Sequence, residues 1–254
     1  MRNEEKLLYL IKYLLAEDAQ YKNAEIPQSN EERFRLFRSL VNVRPPRPIG
    51  DDFLKVQDEF LQEEIAAKGI VDIADLQPVK DNVYLWQGDI TTLKCGAIVN
   101  AANSGMTGCH LPCHICIDNT IHTFSGVQLR LECVEIMRKQ GFPEPTGQAK
   151  ITSAYNLPCD KIIHTVGPIV EGKLTKEHCR LLESCYISCL NIAAENGIDS
   201  IAFCCISTGV FGFPQREAAE IAVKTVRKYS GKIKVIFNVF KQSDCEIYRE
   251  LLTP

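Results

Sequence analysis

Apolar positions divide the chain into two parts with different periods. Up to about residue 80 they recur at helical spacing. Leu7, Leu8, Leu10, Ile11, Leu14 and Leu15 form one stripe, Phe34, Phe37, Leu40 and Val41 a second, and Phe53, Val56, Phe60, Leu61 and Ile65 a third. The run Arg44-Pro45-Pro46-Arg47-Pro48 separates the last two, because proline cannot continue a helix and restrains the residue before it. From Val83 short, nearly continuous apolar runs take over, at Val83–Gln87, Ala97–Asn100, Ala149–Ser153, Lys161–Val166, Ser200–Ile206 and Ile233–Val239. Helical patterns lie between several of them, over about Ile117–Lys139, Lys176–Asn196 and Pro214–Tyr229. This alternation predicts an α/β fold whose mostly parallel sheet is covered by helices on both faces. The chain therefore divides into a helical N-terminal extension, residues 1–80, and an α/β domain, residues 81–254, with the boundary near Gln77–Asp81.

Composition narrows the function classes. The 254 residues are 45% hydrophobic and 24% charged, enough to bury a substantial core. A net charge of −3 argues against a nucleic-acid partner held by a basic face. No apolar run approaches the roughly 20 residues that span a bilayer, so no membrane partner is expected. Glu4, Glu5, Lys6 and Lys12 interrupt the first apolar stripe, which does not fit a signal peptide. Twelve cysteines without such a signal imply reduced thiols or metal ligands in a cytoplasmic protein.

The chemistry concentrates after the run Ala97-Ile98-Val99, which ends in Asn100-Ala101-Ala102-Asn103. A glycine-containing loop follows, with Cys109, His110, Cys113, His114 and Cys116 packed into it. Thiolate and imidazole together suit zinc, which takes four ligands in structural sites and three plus an open position in catalytic ones. Buried cysteines also occur as small hydrophobes, and Cys185, Cys189, Cys204 and Cys205 are read that way. A second polar loop, Ser207 to Pro214, follows the run Ile201–Ile206. Gly209 and Gly212 free its backbone to turn N–H groups toward an anion at the start of a helix. Asp89, ending the first strand of the domain, either accepts a hydrogen bond from an exocyclic amine or caps a turn. Asp118 is either a general base or the N-cap of the following helix, the cap being the simpler reading, and His122 lies one turn later.

At these residues the chain resembles the macrodomain family, a three-layer α/β/α fold with a mostly parallel mixed sheet that binds ADP-ribose. Gln87-Gly88-Asp89-Ile90-Thr91, Ala97 to Asn103, and Ser207 to Pro214 match the family's three ligand-contacting segments in order and spacing. The stretch Gly108 to His122 is similar to that of the zinc-dependent microbial protein-ADP-ribose hydrolases, which carry a helical N-terminal extension. The resemblance implies one zinc ion per chain, with Cys109, His114 and Cys116 as ligands. It also implies an ADP-ribose site formed by Asp89, Ile90, Asn103, Cys116, Ile117, Asp118, Asn119, Ser207, Thr208, Gly209, Val210 and Phe211. Asn103 and Asp118 are its catalytic candidates. His110 departs from the large apolar residue expected after the first zinc cysteine, so His110 or Cys113 stands as a further candidate ligand. The activity implied is release of mono-ADP-ribose from protein side chains, with an ester to Asp or Glu as the expected linkage. The rival expectation is a non-catalytic ADP-ribose-binding module with a structural zinc.

Overall fold

A computed structural model describes residues 1–21 and 23–253. The three apolar stripes of the extension become helices α1 (Asn3–Ala16), α2 (Asn30–Val43) and α3 (Asp51–Lys68). Ser29 caps α2 by accepting a hydrogen bond from the Glu32 amide, which satisfies one of the free donors of the first turn. Their apolar faces do not form a separate core. Phe34, Phe37 and Phe60 pack on one another, and Phe34 stacks on Phe124 of the α/β domain at a centroid distance of 6.0 Å. One apolar cluster accordingly runs from Leu7 through the sheet to Leu252.

The α/β domain contributes β2 (Val83–Gln87), β4 (Ala97–Ala102), β5 (Ala149–Ser153), β6 (Lys161–Val166), β7 (Ser200–Phe203) and β8 (Lys234–Val239). They form one six-stranded sheet in the order β2-β8-β7-β4-β6-β5. All pairings in it are parallel except β5 with β6, an antiparallel edge. A separate parallel pair, β1 (Val71–Asp72) with β3 (Leu93–Lys94), stitches the end of the extension to the domain. These two-residue strands carry no periodicity and were invisible in the apolar pattern.

Side-chain alternation assigns the helices to two faces. Phe203 and Phe237 are paired in register; Phe203 contacts Tyr186 of α6 (Lys176–Glu195) and Phe237 contacts Tyr248 of α8 (Gln242–Leu252). Between those helices lies α7 (Gln215–Tyr229), packed on both. Asn100 and His164, paired in register, point to the other face, toward α4 (Ile117–Ser125) and α5 (Val127–Gln140). The result is the expected α/β/α arrangement.

One expected helix is two. The apolar pattern over Ile117–Lys139 reads as continuous, but the chain breaks at Gly126, where φ is 99°. That backbone conformation favours glycine, and Gln57 of α3 and Gln128 lie against it, each 2.6 Å from where a Cβ would stand. Among the described residues no helix is long and apolar enough to cross a membrane, and all twelve cysteines are free thiols.

Because extension and sheet share one apolar cluster, they are expected to unfold together. Helical circular dichroism and the fluorescence of Trp86 on β2 should give one coincident urea midpoint. Replacing the buried Phe37 by Ala should lower stability by about 3–5 kcal/mol and move both probes equally. Separate midpoints would contradict the shared core.

Candidate metal centre and ligand crevice

From β4 the chain leaves toward α4 on one face of the sheet, and from β7 toward α7 on the other. Two neighbouring parallel strands that diverge in this way open a crevice at their C-terminal ends, where ligands of α/β folds bind. At its floor lies Asn100, fully buried. Its Nδ2 donates to Asp118 Oδ1 at 2.8 Å and to His164 Nδ1 at 3.0 Å. The other oxygen of Asp118 accepts from Asn103 Nδ2 at 3.3 Å. Both amino groups therefore turn inward to one carboxylate. Asn100 Oδ1 is left buried and without a hydrogen-bond partner among the described residues.

Asp118 is not the cap of α4. That role falls to Cys116, whose Sγ accepts from the Asn119 amide at 3.4 Å, and Asp118 sits inside the first turn. The sequence favoured Asp over Cys at the cap on ordinary preference; tertiary demand for a carboxylate beneath two carboxamides decided otherwise. Burial pushes the Asp118 carboxyl up to about 6, against the pull of Asn100, Arg130 and Asn103.

The loop between β4 and α4 brings Cys109, His114 and Cys116 together, their ligand atoms within 4.8 Å of one another. Cys109 Sγ and His114 Nδ1 are 3.6 Å apart. Two soft sulfurs and one imidazole make a donor set that fits zinc. The other two candidates point elsewhere. His110 Nε2 meets Thr107 Oγ1 at 3.2 Å, while Cys113 Sγ contacts Ser39 Oγ at 3.1 Å and Arg35 O at 3.3 Å. Gly108 forms the base of the loop with φ of 86°; a Cβ there would stand 2.8 Å from the His122 ring. His122 is thus a packed ring beneath the loop, 3.6 Å from Asp118 Oδ1. A second cluster, His122, Cys133 and His164, is fully buried. Both ring nitrogens of His164 are engaged, by Asn100 and by Thr152 at 2.8 Å, whereas both of His122 are buried without a partner among the described residues. Burial first, then the neighbouring His164 and Arg130, holds His122 well below the ordinary histidine range.

Asn119, expected to line the ligand, is buried, and its carboxamide is spent on the loop itself. Nδ2 donates to the carbonyls of Cys109 and Leu111, and Oδ1 accepts from Arg38. Ile117 is half-buried at the head of α4. At the far end of the crevice, Asp89 accepts from the Thr91 amide and hydroxyl through one oxygen and from Lys68 Nζ at 2.9 Å through the other. Burial opposes its ionisation, but the Thr91 hydroxyl and the Lys68 ammonium outweigh it and hold the carboxyl below the usual range. Ile90 is buried beside it.

On the other side, the loop after β7 stands on Ser207, which adopts φ of 65°, and Gly212, at 68°. A Cβ on Gly167 would lie 2.1 Å from Ser207 Oγ, so the two segments touch backbone to side chain. Val170 N donates to Phe211 O at 2.8 Å and ties them together. Thr208 is half-buried, while Gly209 and the 77% exposed Val210 form the tip. The amides of Gly209, Val210 and Phe211 have no intramolecular acceptor among the described residues, and Ser207 Oγ is buried without a partner. Free donors in one glycine-containing loop suit an anion. Absent from the sequence reading were Phe240, 78% exposed at the end of β8 with its carbonyl against Gln87, and the extension's Arg38, Asn42 and Lys68. An aromatic just beyond the last strand was a signal that could have found Phe240; the others act over long sequence separations and left none.

A mostly parallel sheet between two helical layers, with a polar crevice between two diverging strand ends, defines the class, and the chain belongs to the macrodomain family. Residues 99–222 match the Macro domain. A Treponema medium protein named protein-ADP-ribose hydrolase is 56% identical over 261 residues, covering 100% of both chains. A Staphylococcus aureus protein of the same name is 50% identical over 254 residues, covering 98% of this chain and 95% of its own. Among solved structures, the Trypanosoma brucei macrodomain in complex with ADP-ribose superposes with a TM-score of 0.64 at 27% identity, covering 89% of this chain and 97% of that one.

His164 gives this region a stability signature. Asn100 donates to Nδ1, so the network assigns the ring proton to Nε2, which donates to Thr152, and the ring is neutral. Burial holds it down to about 3, below its unfolded value of about 6.5. A depressed histidine stabilises the fold fully above the unfolded value and loses that contribution as pH falls from 6.5 toward 3. Urea unfolding of His164→Gln should therefore show a pH slope shallower than the parent's by up to about 1.4 kcal/mol per pH unit between pH 6 and 4. Parallel slopes would mean the ring is charged in the fold.

Proposed function

We propose that this chain is a zinc-dependent hydrolase that releases mono-ADP-ribose from modified protein side chains, esters of Asp or Glu in the first instance. The shared name of the relatives supports a hydrolase acting on ADP-ribose. The observation that carries the finer reading is the convergence of Cys109, His114 and Cys116 beside the Asp118–Asn103 pair at the end of β4.

The ligand lies across the crevice in three parts. The free amides of Gly209 to Phe211 and the Ser207 hydroxyl receive the diphosphate. The base goes to the Asp89 end, with the exposed Phe240 ring available for stacking. The distal ribose stands over Asn103 and next to the three metal ligands. In the reaction, water adds at C1″ as the bond to the protein side chain breaks; one water proton leaves with the carboxyl product or to solvent. Positive charge develops on the ribose as that bond lengthens. Asp118 answers it in two ways. Its negative charge lies beneath the sugar, and by accepting from Asn100 and Asn103 it fixes the orientation of both carboxamides. Cys109, His114 and Cys116 would hold a zinc ion, which when bound would supply Lewis-acid polarisation beside the distal ribose. Among the described residues three donors share the cluster, and His110 and Cys113 make contacts elsewhere, which favours this reading over a closed structural site.

Incubation with proteins mono-ADP-ribosylated at Asp or Glu should release ADP-ribose, and a zinc chelator should stop the release. Cys116→Ala should abolish turnover while free ADP-ribose still binds through the Ser207–Phe211 loop; turnover at the parent rate would refute the role of zinc. Asp118→Asn removes the charge but keeps the shape. It should lower kcat by about 100-fold or more with KM changed far less, a loss of about 2.7 kcal/mol of transition-state stabilisation.

A further inference from the structure

The loop carrying the metal ligands has little holding it from within. Between Cys109 and Cys116 its one internal backbone hydrogen bond among the described residues runs from His114 N to Leu111 O at 3.2 Å. Its apolar side chains, Leu111 and Ile115, are exposed rather than anchored in the core. What shapes it comes from the second helix of the extension. Arg38 Nη2 donates to the carbonyl of the ligand residue His114 at 2.8 Å, and Nε and Nη2 together grip Asn119 Oδ1 at 3.1 and 2.8 Å. Asn119 passes that hold on, its Nδ2 donating to the carbonyls of Cys109 and Leu111. One turn along α2, Asn42 Oδ1 accepts from the Cys113 amide at 3.0 Å, at a residue forced to φ of 53°. The loop's start is tied to the same helix. Arg130 Nε donates to Thr107 O, while its Nη1 donates to the carbonyls of Val41, Asn42 and Arg44 at the end of α2.

We propose that Arg38 is a positioning residue for the metal centre. Through Asn119 and the His114 carbonyl it holds the ligand loop in its binding shape before the metal arrives, so the helical extension is a working part of the site rather than an appendage. The proposal rests on the zinc reading above. Its physical basis is preorganisation: two thiolates and an imidazole must be brought together against their mutual repulsion and the loop's entropy, and hydrogen bonds made in advance remove that cost from binding.

Three full-length variants test it, Arg38→Ala, Arg38→Lys and, as a control on the same helix, Asn30→Ala, whose side chain meets Glu4 away from the loop. Zinc affinity is measured by competition with a chromophoric chelator, the Co2+ absorption bands report ligand geometry, and hydrogen exchange over residues 109–116 is followed in the metal-free protein. Arg38→Ala should weaken zinc about 10–100-fold, alter the Co2+ bands and speed loop exchange. Arg38→Lys keeps the charge but not the planar fork and should fall in between, and Asn30→Ala should match the parent. Should the alanine variant fail to fold, the lysine variant decides. Parent-like zinc affinity, bands and exchange in an Arg38 variant overturn the proposal alone. A parent that binds no zinc overturns the metal reading and the proposal with it.

Discussion

One buried carboxylate organises the crevice. Asp118 accepts hydrogen bonds from Asn100 and Asn103, the two carboxamides at the end of β4, through different oxygens. Burying such a charge costs several kcal/mol, and each charge-assisted hydrogen bond returns about 1.5–3 kcal/mol, so both donors are needed to hold it. The constraint runs both ways. With their amino groups committed inward, the two carboxamides can no longer flip, and the floor of the crevice is fixed in advance.

Around this floor the two walls are built differently. The wall after β7 is rigid through close approach: Gly167 admits Ser207, and Val170 pins Phe211. The wall that carries the candidate metal ligands is held by long side chains reaching in from elsewhere, Arg38 and Asn42 from α2 and Arg130 from α5. The buried Arg130 charge is met by carbonyls at the C-terminal end of α2, where a helix favours a cation. Extension and sheet domain are thus joined at the site by polar contacts as well as through their common apolar core.

Much of the fold could be read from the chain because buried parallel strands and amphipathic helices leave strong periodic traces. β5 and β6 have the bounds expected from their apolar runs, and the three helices of the extension follow their stripes. What periodicity cannot register is a break imposed from outside. The helix that splits at Gly126 does so at a positive φ of 99°, where Gln57 of α3 accepts from the Val127 amide across 70 residues of sequence. The site divides along the same line. Cysteines and histidines crowded into one loop mark a candidate metal site, but the sequence left His110 and Cys113 open as ligands, and their contacts with Thr107, Ser39 and Arg35 became visible only in the fold. Asp118 was visible as a candidate, whereas its place beneath two carboxamides, instead of at the helix cap, depends on β4 ending where it does.

The proposed catalysis depends most on a metal held by three protein ligands with a position left for the substrate. X-ray absorption at the zinc edge of the purified chain, with and without ADP-ribose, addresses that directly. Two sulfurs at about 2.3 Å, one nitrogen at about 2.0–2.1 Å and one light atom whose shell changes on adding ADP-ribose are expected. Four unchanging protein ligands, or no zinc at all, would contradict it.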